Sequence, residues 1–337
     1  MSVFELYKLR LERKDMRYRA LRRARKDLSA VKKRINQVHS DAVLLFAVIR
    51  NERPRLPYFL EYYRNLGIEH FCFVDNQSED ETEQYLVDQP DVSLWRADGS
   101  YARAAYGMHW LNFLLGRYGK GHWCLTVDAD EFFVYPHCDA RPIQALTDWL
   151  DNQNLPSFGT LLLDLYSDRD ISETVCPEGT NPIEVAPYFD TGNYSCSYNP
   201  KYRNIWLQGG PRQRVFFSSK PEQAPSLNKI PLVKWRRGYV YRHSTHHLLP
   251  AKLNLTYASD GGQMASGALL HTKFTQNFLD KVNEEKDRQM HYKDSREYKL
   301  YAQAVARGAP LYTSNSVRYE SWQQLQSLGL MSQAGWA

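Results

Sequence analysis

The sequence has few cysteines and no long apolar run. Its five cysteines are odd in number and include no CxxC pair, which argues against a disulfide framework and a structural zinc knuckle. The longest apolar run, residues 42–49, is far shorter than the roughly 20 residues that a membrane-spanning helix needs. The first residues also lack the apolar core of a secretory signal. We therefore expect a cytoplasmic protein.

Composition and charge indicate a globular chain with one unusual segment. Of the 337 residues, 43% are hydrophobic and 24% are charged, which suits one large α/β domain or two ordinary ones. The net charge of +5 is uneven, because residues 1–40 contain 13 Lys or Arg and only four acids. The rest of the chain carries an excess of acids, so its surface is not predicted to bind nucleic acid or another polyanion.

Residues 1–40 show helical periodicity. Their apolar positions alternate three and four apart and form one predicted seam, at Leu21, Ala24, Leu28, Val31, Ile35 and Val38. The seam would pack on the domain, or dock on a partner helix or an anionic membrane surface. Nucleic-acid binding is disfavoured because few aromatic residues are available for stacking on bases. Peripheral attachment to the inner face of a membrane is therefore one hypothesis for this segment.

From residue 41 the pattern changes to short apolar strands separated by helices. Strands are predicted at 42–49, 68–74, 92–96 and 123–127, with helices at 54–67, 79–88 and 104–118 between them. Helical connections of this length imply parallel strands. Ligands of such sheets bind beyond the carboxyl ends of the strands, so we expect the site there.

The second half of the chain is less regular. A helix at 142–151 and a strand at 159–164 are followed by an aromatic, irregular stretch at 166–231, which is typical of a binding lid or a substrate-recognition subdomain. Strands are then predicted at 238–243 and 267–271, and helices at 277–291 and 295–306.

Two carboxylates, Asp128 and Asp130, follow the fourth predicted strand. Burying two like charges is costly unless a cation joins them, and a hard divalent cation that also binds phosphates prefers oxygen ligands. The alternative is an Asp-rich turn. A haloacid-dehalogenase phosphatase also ends a strand in DxD, but near the start of its domain and followed by Thr or Val. Here three βα units precede the pair and Phe132 follows Glu131.

Three motifs resemble the family 2 glycosyltransferases, in the bacterial branch whose aspartate motif reads D-x-D-E-F. They are AVIRNE at 47–52, FVDNQSEDET at 73–82 and LTVDADEFF at 125–133. Later stretches are similar to the same branch, namely GGPRQR at 209–214, LNKIPLVKW at 227–235, STH at 244–246 and LHTKF at 270–274. The resemblance implies the GT-A fold, an α/β domain with a mainly parallel nucleotide-binding sheet flanked by helices and an acceptor-side C-terminal subdomain.

The resemblance also implies a domain plan and a donor site. We expect a basic helix at 1–40, a GT-A domain at 41–310 with halves at 41–165 and 166–310, and a tail at 311–337. The nucleotide-diphosphate sugar would be bound by Asn51, Glu52, Asp75, Asn76, Arg103, Asp128 and Lys273. Within this set Asp75 would accept a hydrogen bond from the base, and Arg103 would approach the diphosphate or base. Asn76 stands where many members have a second Asp.

A divalent cation, Mn²⁺ or Mg²⁺, is implied in the same way. Asp128 and Asp130 would bind it, with His271 as the third ligand and His246 as the alternative. The metal would neutralise charge on the nucleoside diphosphate that leaves. Lys273 and either Arg212 or Arg214 would bind diphosphate oxygens, unless they form ordinary salt bridges.

The reaction implied is transfer of a sugar, from a uridine donor in the simplest case, to a glycan or lipid-linked acceptor in cell-surface polysaccharide synthesis. Asp164 and His246 are the candidate catalytic residues. An inverting enzyme needs a general base, for which Asp164 is our choice, with Asp168 and Asp170 nearby. Aromatic residues that would stack on the acceptor are Tyr166, Tyr188, Phe189, Tyr194, Tyr198, Tyr202 and Trp206. The alternative function is an inactive glycan-binding or scaffold protein that docks through its basic helix.

Overall fold

The computed structural model describes residues 3–257, 264–276, 278, 300–301 and 309–336. The helices predicted at 277–291 and 295–306 lie outside these described residues. The described helices are α1 Val3–Asp27, α2 Leu56–Asn65, α3 Thr82–Val87, α4 Met108–Tyr118, α5 Ile143–Asn152, α6 Pro182–Val185 and α7 Trp322–Ser327.

The described strands are β1 Leu28–Lys32, β2 Leu44–Ile49, β3 His70–Asp75, β4 Val92–Ala97, β5 Trp123–Thr126, β6 Glu131–Val134, β7 Ser157–Asp164, β8 Tyr188–Asp190, β9 Ser195–Asn199, β10 Asn204–Gln208, β11 Asn228–Lys234, β12 Val240–His243, β13 His247–Leu249, β14 Ser266–His271 and β15 Ser316–Arg318. Nine of them form one central sheet in the order β1-β4-β3-β2-β5-β11-β7-β14-β6. The other six pair in three two-stranded sheets.

One half of the sheet is parallel. β2 pairs with β3 and β5, and β3 pairs with β4, all in parallel register. The sheet continues with β11, which is antiparallel to both its neighbours, and then with the parallel pair β7 and β14. The prediction of an α/β domain with a large, mainly parallel sheet flanked by helices is confirmed. All four carboxyl ends of the parallel half therefore meet at one edge. Nucleotide binding by this half of the sheet stays a prediction.

Helices cover both faces of this sheet, which is why its central strands are mostly apolar and buried. β3 is buried along its whole length, as expected for a strand covered on both sides. Phe59 and Tyr63 of α2 pack on one face, in the same buried cluster as Leu146 of α5. Trp110 and Leu114 of α4 pack on the other face. The two clusters fix the sheet and hence the positions of its strand ends.

The basic segment does not form one helix through Val38. Helix α1 ends at Asp27, and the next five residues form β1, which pairs antiparallel with β4 at the sheet edge. The predicted seam is therefore wrong beyond Ala24. Asp27 is buried and accepts a hydrogen bond from Trp110 Nε1 at 3.1 Å. That contact fixes the helix end, after which backbone pairing with β4 becomes available.

A central strand lies inside the stretch expected to be irregular. β11 sits between β5 and β7 although it contains Pro231, a residue that argues against a central strand because it cannot donate to the ladder. The pairing of β11 with β7 shifts register between Lys229 and Leu232. This irregularity accommodates Pro231 within the strand. The same proline is the reason why the sequence pattern did not predict a central strand here.

None of the described helices is both long enough and apolar enough to span a membrane.

Candidate active site at the strand ends

The loops after β2, β3 and β4 are tied together by Asn76. Its backbone N–H donates to the carbonyl of Ile49 at 2.9 Å, and its side-chain amide donates to the carbonyls of Ala97 at 2.9 Å and Gly99 at 3.2 Å. Asn51 has a left-handed backbone, and its side-chain oxygen accepts from the N–H of Glu79 at 2.8 Å. Both predicted donor-site residues thus hold the rim of the site together.

Asp75 lies at the end of β3 and is turned into its own loop. Its carboxylate accepts hydrogen bonds from the backbone N–H of Ser78 at 3.3 Å and from the Ser78 hydroxyl. Burial raises the pKa of Asp75, while the bonds from Ser78 oppose that shift. The structure therefore shows Asp75 stabilising the turn at 75–78, and its contact with a base stays a prediction.

Arg103 is exposed on the loop after β4, next to three residues with left-handed backbone. Ala105, Tyr106 and Gly107 have φ values of 51°, 56° and 78°. A Cβ on Gly107 would lie 2.9 Å from Val48 Cγ2, so glycine is required at this start of α4. Strained non-glycine residues persist where the surrounding structure holds them, and they cluster at ligand sites. This loop borders the strand-end cleft.

The DxD motif joins β5 to β6, and β14 brings a histidine to it. In the sheet β14 lies between β7 and β6, so His271 is in register with Asp164 on one side and Glu131 on the other. The backbone N–H of Thr272 donates to the carbonyl of Asp130 at 2.8 Å, which fixes the motif against the end of β14. Two distant parts of the sequence are thereby joined at one point.

A chain of charged contacts runs through this point. His271 Nε2 is 3.4 Å from Asp130 Oδ2, and His271 Nδ1 is 2.6 Å from Asp164 Oδ1. The second oxygen of Asp164 accepts from Arg212 Nε at 2.6 Å. On the other side Arg55 Nη1 is 3.9 Å from Asp130 Oδ2 and 3.4 Å from Glu52 Oε2. Each oxygen of Asp164 therefore has a hydrogen-bond partner, and its role as a general base stays a prediction.

Lys229 holds the other part of the motif. Its Nζ lies 2.8 Å from Glu131 Oε1 and 3.8 Å from Asp128 Oδ2. Glu131 and Lys229 are buried, whereas the Asp128 side chain is 59% exposed at the mouth of the cleft. Desolvation by the surrounding protein and the neighbouring Glu131 carboxylate raise the pKa of Asp128, whereas Lys229 lowers it. Asp128 is the acid of the motif that a ligand reaches first.

The connected network has an excess of negative charge. Its carboxylates are Glu52, Asp128, Asp130, Glu131 and Asp164, and its permanent cations are Arg55, Lys229 and Arg212. Five acids against three cations leave two negative charges when His271 is neutral. Burial opposes the charged form of His271, but Asp130 and Asp164 outweigh burial and raise its pKa. The site therefore attracts positive charge, as a proton on His271 or as a metal ion.

Asp130 and His271 fit a divalent cation. Two ligand atoms that are each about 2.1 Å from one cation lie about 3–4 Å apart, and Asp130 Oδ2 and His271 Nε2 are separated by 3.4 Å. Asp164 accepts from His271 Nδ1, an arrangement that leaves Nε2 for a metal. Among the described residues, no three His, Cys, Asp or Glu side chains are arranged to hold a metal ion. Magnesium commonly takes one or two carboxylates and completes its shell with substrate phosphates and water.

Three further predicted ligands contact other groups of the protein. His246 Nδ1 is 2.7 Å from the carbonyl of Asn228, and burial together with Lys229 lowers the pKa of His246 to about 3. Lys273 Nζ lies over the ring of Tyr301, 5.2 Å from its centroid. Arg214 Nε bonds Asp190 at 3.0 Å, an ordinary salt bridge. His246 is thus a neutral histidine beside Lys229, and its catalytic role stays a prediction.

Most of the aromatic set packs on its own subdomain. Tyr166, Phe189 and Tyr202 are buried, and the Tyr194 hydroxyl donates to the carbonyl of Asp190 at 2.7 Å. The rings of Tyr188 and Tyr312 are in edge-on contact. Tyr198 and Trp206 are exposed on the hairpin of β9 and β10 and are the members available for stacking. Asp168 and Asp170 are exposed, and Asp170 caps the turn at Ile171–Glu173.

Sequence reasoning assigned no role to three residues of the network. Glu131 is inside the D-x-D-E-F motif and Lys229 inside the LNKIPLVKW stretch, so a signal existed for both. No sequence signal indicated Arg55, since a single Arg beside Pro54 looks like an ordinary helix start. It is buried here because its guanidinium faces Glu52, Asp130 and the Thr275 hydroxyl, 3.2 Å away.

Comparison with known proteins assigns no family. No family model and no curated protein matches the chain. Solved structures that resemble it include UDP-glucose pyrophosphorylase complexed with UDP-glucose, at 11% identity over 58% of this chain and 76% of that one, with a TM-score of 0.30. They also include 4-diphosphocytidyl-2C-methyl-D-erythritol synthase, at 16% identity over 41% and 65% of the two chains, with a TM-score of 0.26. Likenesses this distant carry no conclusion about activity.

Proposed function

We propose that this protein is a metal-dependent glycosyltransferase that moves a sugar from a nucleotide-diphosphate donor to a glycan or lipid-linked acceptor. The observation that carries the proposal is the contact of Asp130 with His271, which Asp164 orients at the carboxyl edge of the parallel half-sheet. Ligands of such sheets bind at that edge. The D-x-D-E-F resemblance supplies the reaction class, and the charge excess of the network supports a cation there.

The cation would be held by Asp130 and His271, with substrate phosphates and water completing its shell. Among the described residues, Asp128 does not complete a set of three ligands with them. When bound, it would supply a Lewis acid for the diphosphate that leaves. The chain's own residues do the rest. Asp164 keeps the proton of His271 at Nδ1, Lys229 holds Glu131 in place, and Arg55 fixes Asp130 from the opposite side.

The acceptor would approach from the second half of the chain. Trp206 is exposed, and its ring centroid is 6.4 Å from that of His246, so an aromatic surface borders the cleft near Lys229. Aromatic faces of this kind suit a sugar acceptor. Because Asp164 is occupied by Arg212 and His271, it is a positioning residue in this proposal, and an inverting outcome stays a prediction.

The test is calorimetric titration with UDP, GDP, CDP and ADP, each with Mn²⁺ and with EDTA. We expect one nucleotide to bind with Mn²⁺ and to bind at least about tenfold more weakly in EDTA. Asp130→Asn should remove this metal dependence, whereas Asp168→Asn, an exposed acid outside the network, should leave it unchanged. No binding under any condition would refute the enzyme. Binding without metal dependence, and without sugar transfer, would favour the inactive glycan-binding protein.

A further inference from the structure

Helix α1 is held to the domain by one face. Leu9, Ala20, Ala24 and Asp27 are buried, and α1 contacts α4 and β12. Glu12 pairs with Arg242 of β12, and Asp27 is 3.6 Å from Arg23 as well as bonded to Trp110. The side of α1 that faces the domain is thus defined by packing and by ion pairs.

The opposite face of α1 exposes large apolar side chains. Phe4, Tyr7, Leu11 and Tyr18 are 64%, 55%, 46% and 64% exposed. Their spacings of three, four and seven residues put them on one side of a helix with 3.6 residues per turn. Tyr18 is nine residues, or two and a half turns, from both buried Leu9 and buried Asp27. This outward face therefore points directly away from the domain.

The same outward face is basic. Lys14, Arg22 and Arg25 continue the row of Phe4, Tyr7, Leu11 and Tyr18 at helical spacing and are exposed. Across α1 there are ten Lys or Arg and four acids. Three of these acids are engaged, because Asp27 is buried, Glu12 bonds Arg242 and Asp15 bonds Arg19 at 2.8 Å. The face combines aromatic and aliphatic residues with cations.

We propose that the outward face of α1 docks on an anionic lipid bilayer. Phe4, Tyr7 and Leu11 would enter the interface, and the cations would face lipid phosphates. Helices that lie in a membrane interface have this composition. A second copy of the chain is disfavoured as the occupant, because pairing two such faces would bring their rows of cations together.

The experiment is co-sedimentation of the full chain with vesicles of phosphatidylcholine alone, or mixed in equal parts with phosphatidylglycerol. We expect binding to the mixed vesicles at low salt, release at high salt, and no binding to phosphatidylcholine alone. Each Lys or Arg near an anionic surface strengthens binding about fivefold, so a triple reversal should weaken it at least about tenfold.

Three variants separate the contributions, and circular dichroism checks that each is folded. They are the apolar variant Phe4→Ser/Tyr7→Ser/Leu11→Ser, the charge variant Lys14→Glu/Arg22→Glu/Arg25→Glu, and the control Lys120→Glu/Lys220→Glu/Arg318→Glu. The control changes three exposed cations outside α1. We expect the first two to lose binding and the control to retain it.

The proposal is overturned if the α1 variants bind as the natural chain does, or if the control loses as much binding as the charge variant. Binding to phosphatidylcholine alone at the same strength would also overturn it. Sedimentation velocity adds one further check, since a dimer that the apolar variant converts to a monomer would assign this face to a second copy instead. None of these results depends on glycosyl transfer.

Discussion

At the residue scale, the proposed chemistry depends on a histidine between two carboxylates. Asp164 and Asp130 face the two ring nitrogens of His271, at 2.6 Å and 3.4 Å. A proton on Nε2 and a metal ion compete for the same position, because a metal ligand must be deprotonated. Burial opposes the charged form of His271, but the two carboxylates outweigh burial and raise its pKa. A metal ion would therefore displace the proton from Nε2 only at a higher pH than it would at an ordinary histidine.

Asp164→Asn tests the positioning role. We expect affinity for Mn²⁺, titrated with the nucleotide present, to fall about 10–100-fold, because the substituted amide no longer fixes the charge and tautomer of His271. The pH below which Mn²⁺ is lost should move downward, since His271 loses one of the carboxylates that raise its pKa. A purely structural role for Asp164 would leave that pH midpoint in place. Asp168→Asn serves as the matched control.

His70 provides a pH-dependent contribution to stability. The Ser93 hydroxyl accepts from the backbone N–H groups of Arg34 and Ile35, both at 2.9 Å, so its own proton is donated to His70 Nε2 at 2.8 Å. That bond needs a neutral imidazole. Burial lowers the pKa of His70 from 6.5 to about 4, against the effect of Asp91.

The folded state therefore binds this proton less readily than the unfolded state. Its stability contribution is full above pH 6.5 and is lost as pH falls towards 4. The loss amounts to at most about 3 kcal/mol. Urea denaturation at several pH values measures this loss. Between pH 6.5 and pH 4, the free energy of unfolding of the natural chain should fall by this amount relative to that of His70→Gln. Equal pH slopes for the two proteins would contradict the assignment.

At the element scale, β14 carries the site. It lies between β7 and β6 and presents His271 to Asp164 at its end. A Cβ on Gly267 of this strand would lie 2.4 Å from the carbonyl oxygen of Val134 and 2.9 Å from Phe158 Cε1. The close approach of β14 to β6 therefore needs glycine at this position.

Gly267→Ala should lower the free energy of unfolding by about 1–3 kcal/mol, because overpacking forces the strand to shift. Its shift should also weaken Mn²⁺ binding, since His271 lies on the same strand. Gly116→Ala is the control, because a Cβ at Gly116 in α4 meets nothing within 4 Å. That change should be neutral or stabilise by up to about 1 kcal/mol. Urea denaturation of both variants measures the difference, and equal stabilities would show that β14 has room.

At the scale of the whole molecule, the N-terminal segment is part of the sheet domain. β1 covers the edge of β4, Ile35 is buried among the residues of the α4 face, and Asp27 holds Trp110. A basic segment that looks separable in sequence is thus joined to the domain by backbone pairing, a buried hydrogen bond and apolar contacts. Its removal would uncover a strand edge, which favours aggregation.

A chain that begins at Asp41 should therefore melt at a lower temperature than the full chain and aggregate more readily. We expect the loss to exceed that of any single surface substitution, because β1 and the packing of α1 disappear together. Deletion of residues 1–8, of which 3–8 are exposed, is the control and should leave the melting temperature unchanged. Scanning calorimetry measures both, and identical melting of all three chains would show that residues 9–40 are dispensable for folding.

The sequence by itself determined the α/β class and the strand ends that carry the site. The runs 42–49 and 71–74 are apolar because both faces of the sheet are covered, and the helix between them requires parallel pairing. Since the ends of parallel strands share one edge, the grouping of Asp75 and Asp128 at that edge also followed from local patterns. These signals are short-range, which is why a single sequence contains them.

Only the tertiary structure decided what surrounds Asp130. Lys229 and His271 reach the motif because β11 and β14 insert between earlier strands, and strand order in a sheet is fixed by packing of distant segments. Pro231 argues against a central strand in the sequence, and only the register shift in the structure explains how β11 accommodates it. The helix period of α1 likewise could not reveal that its buried face ends at Asp27, because that end depends on Trp110, far along the chain. Long-range contacts of this kind leave no periodic signal in the sequence.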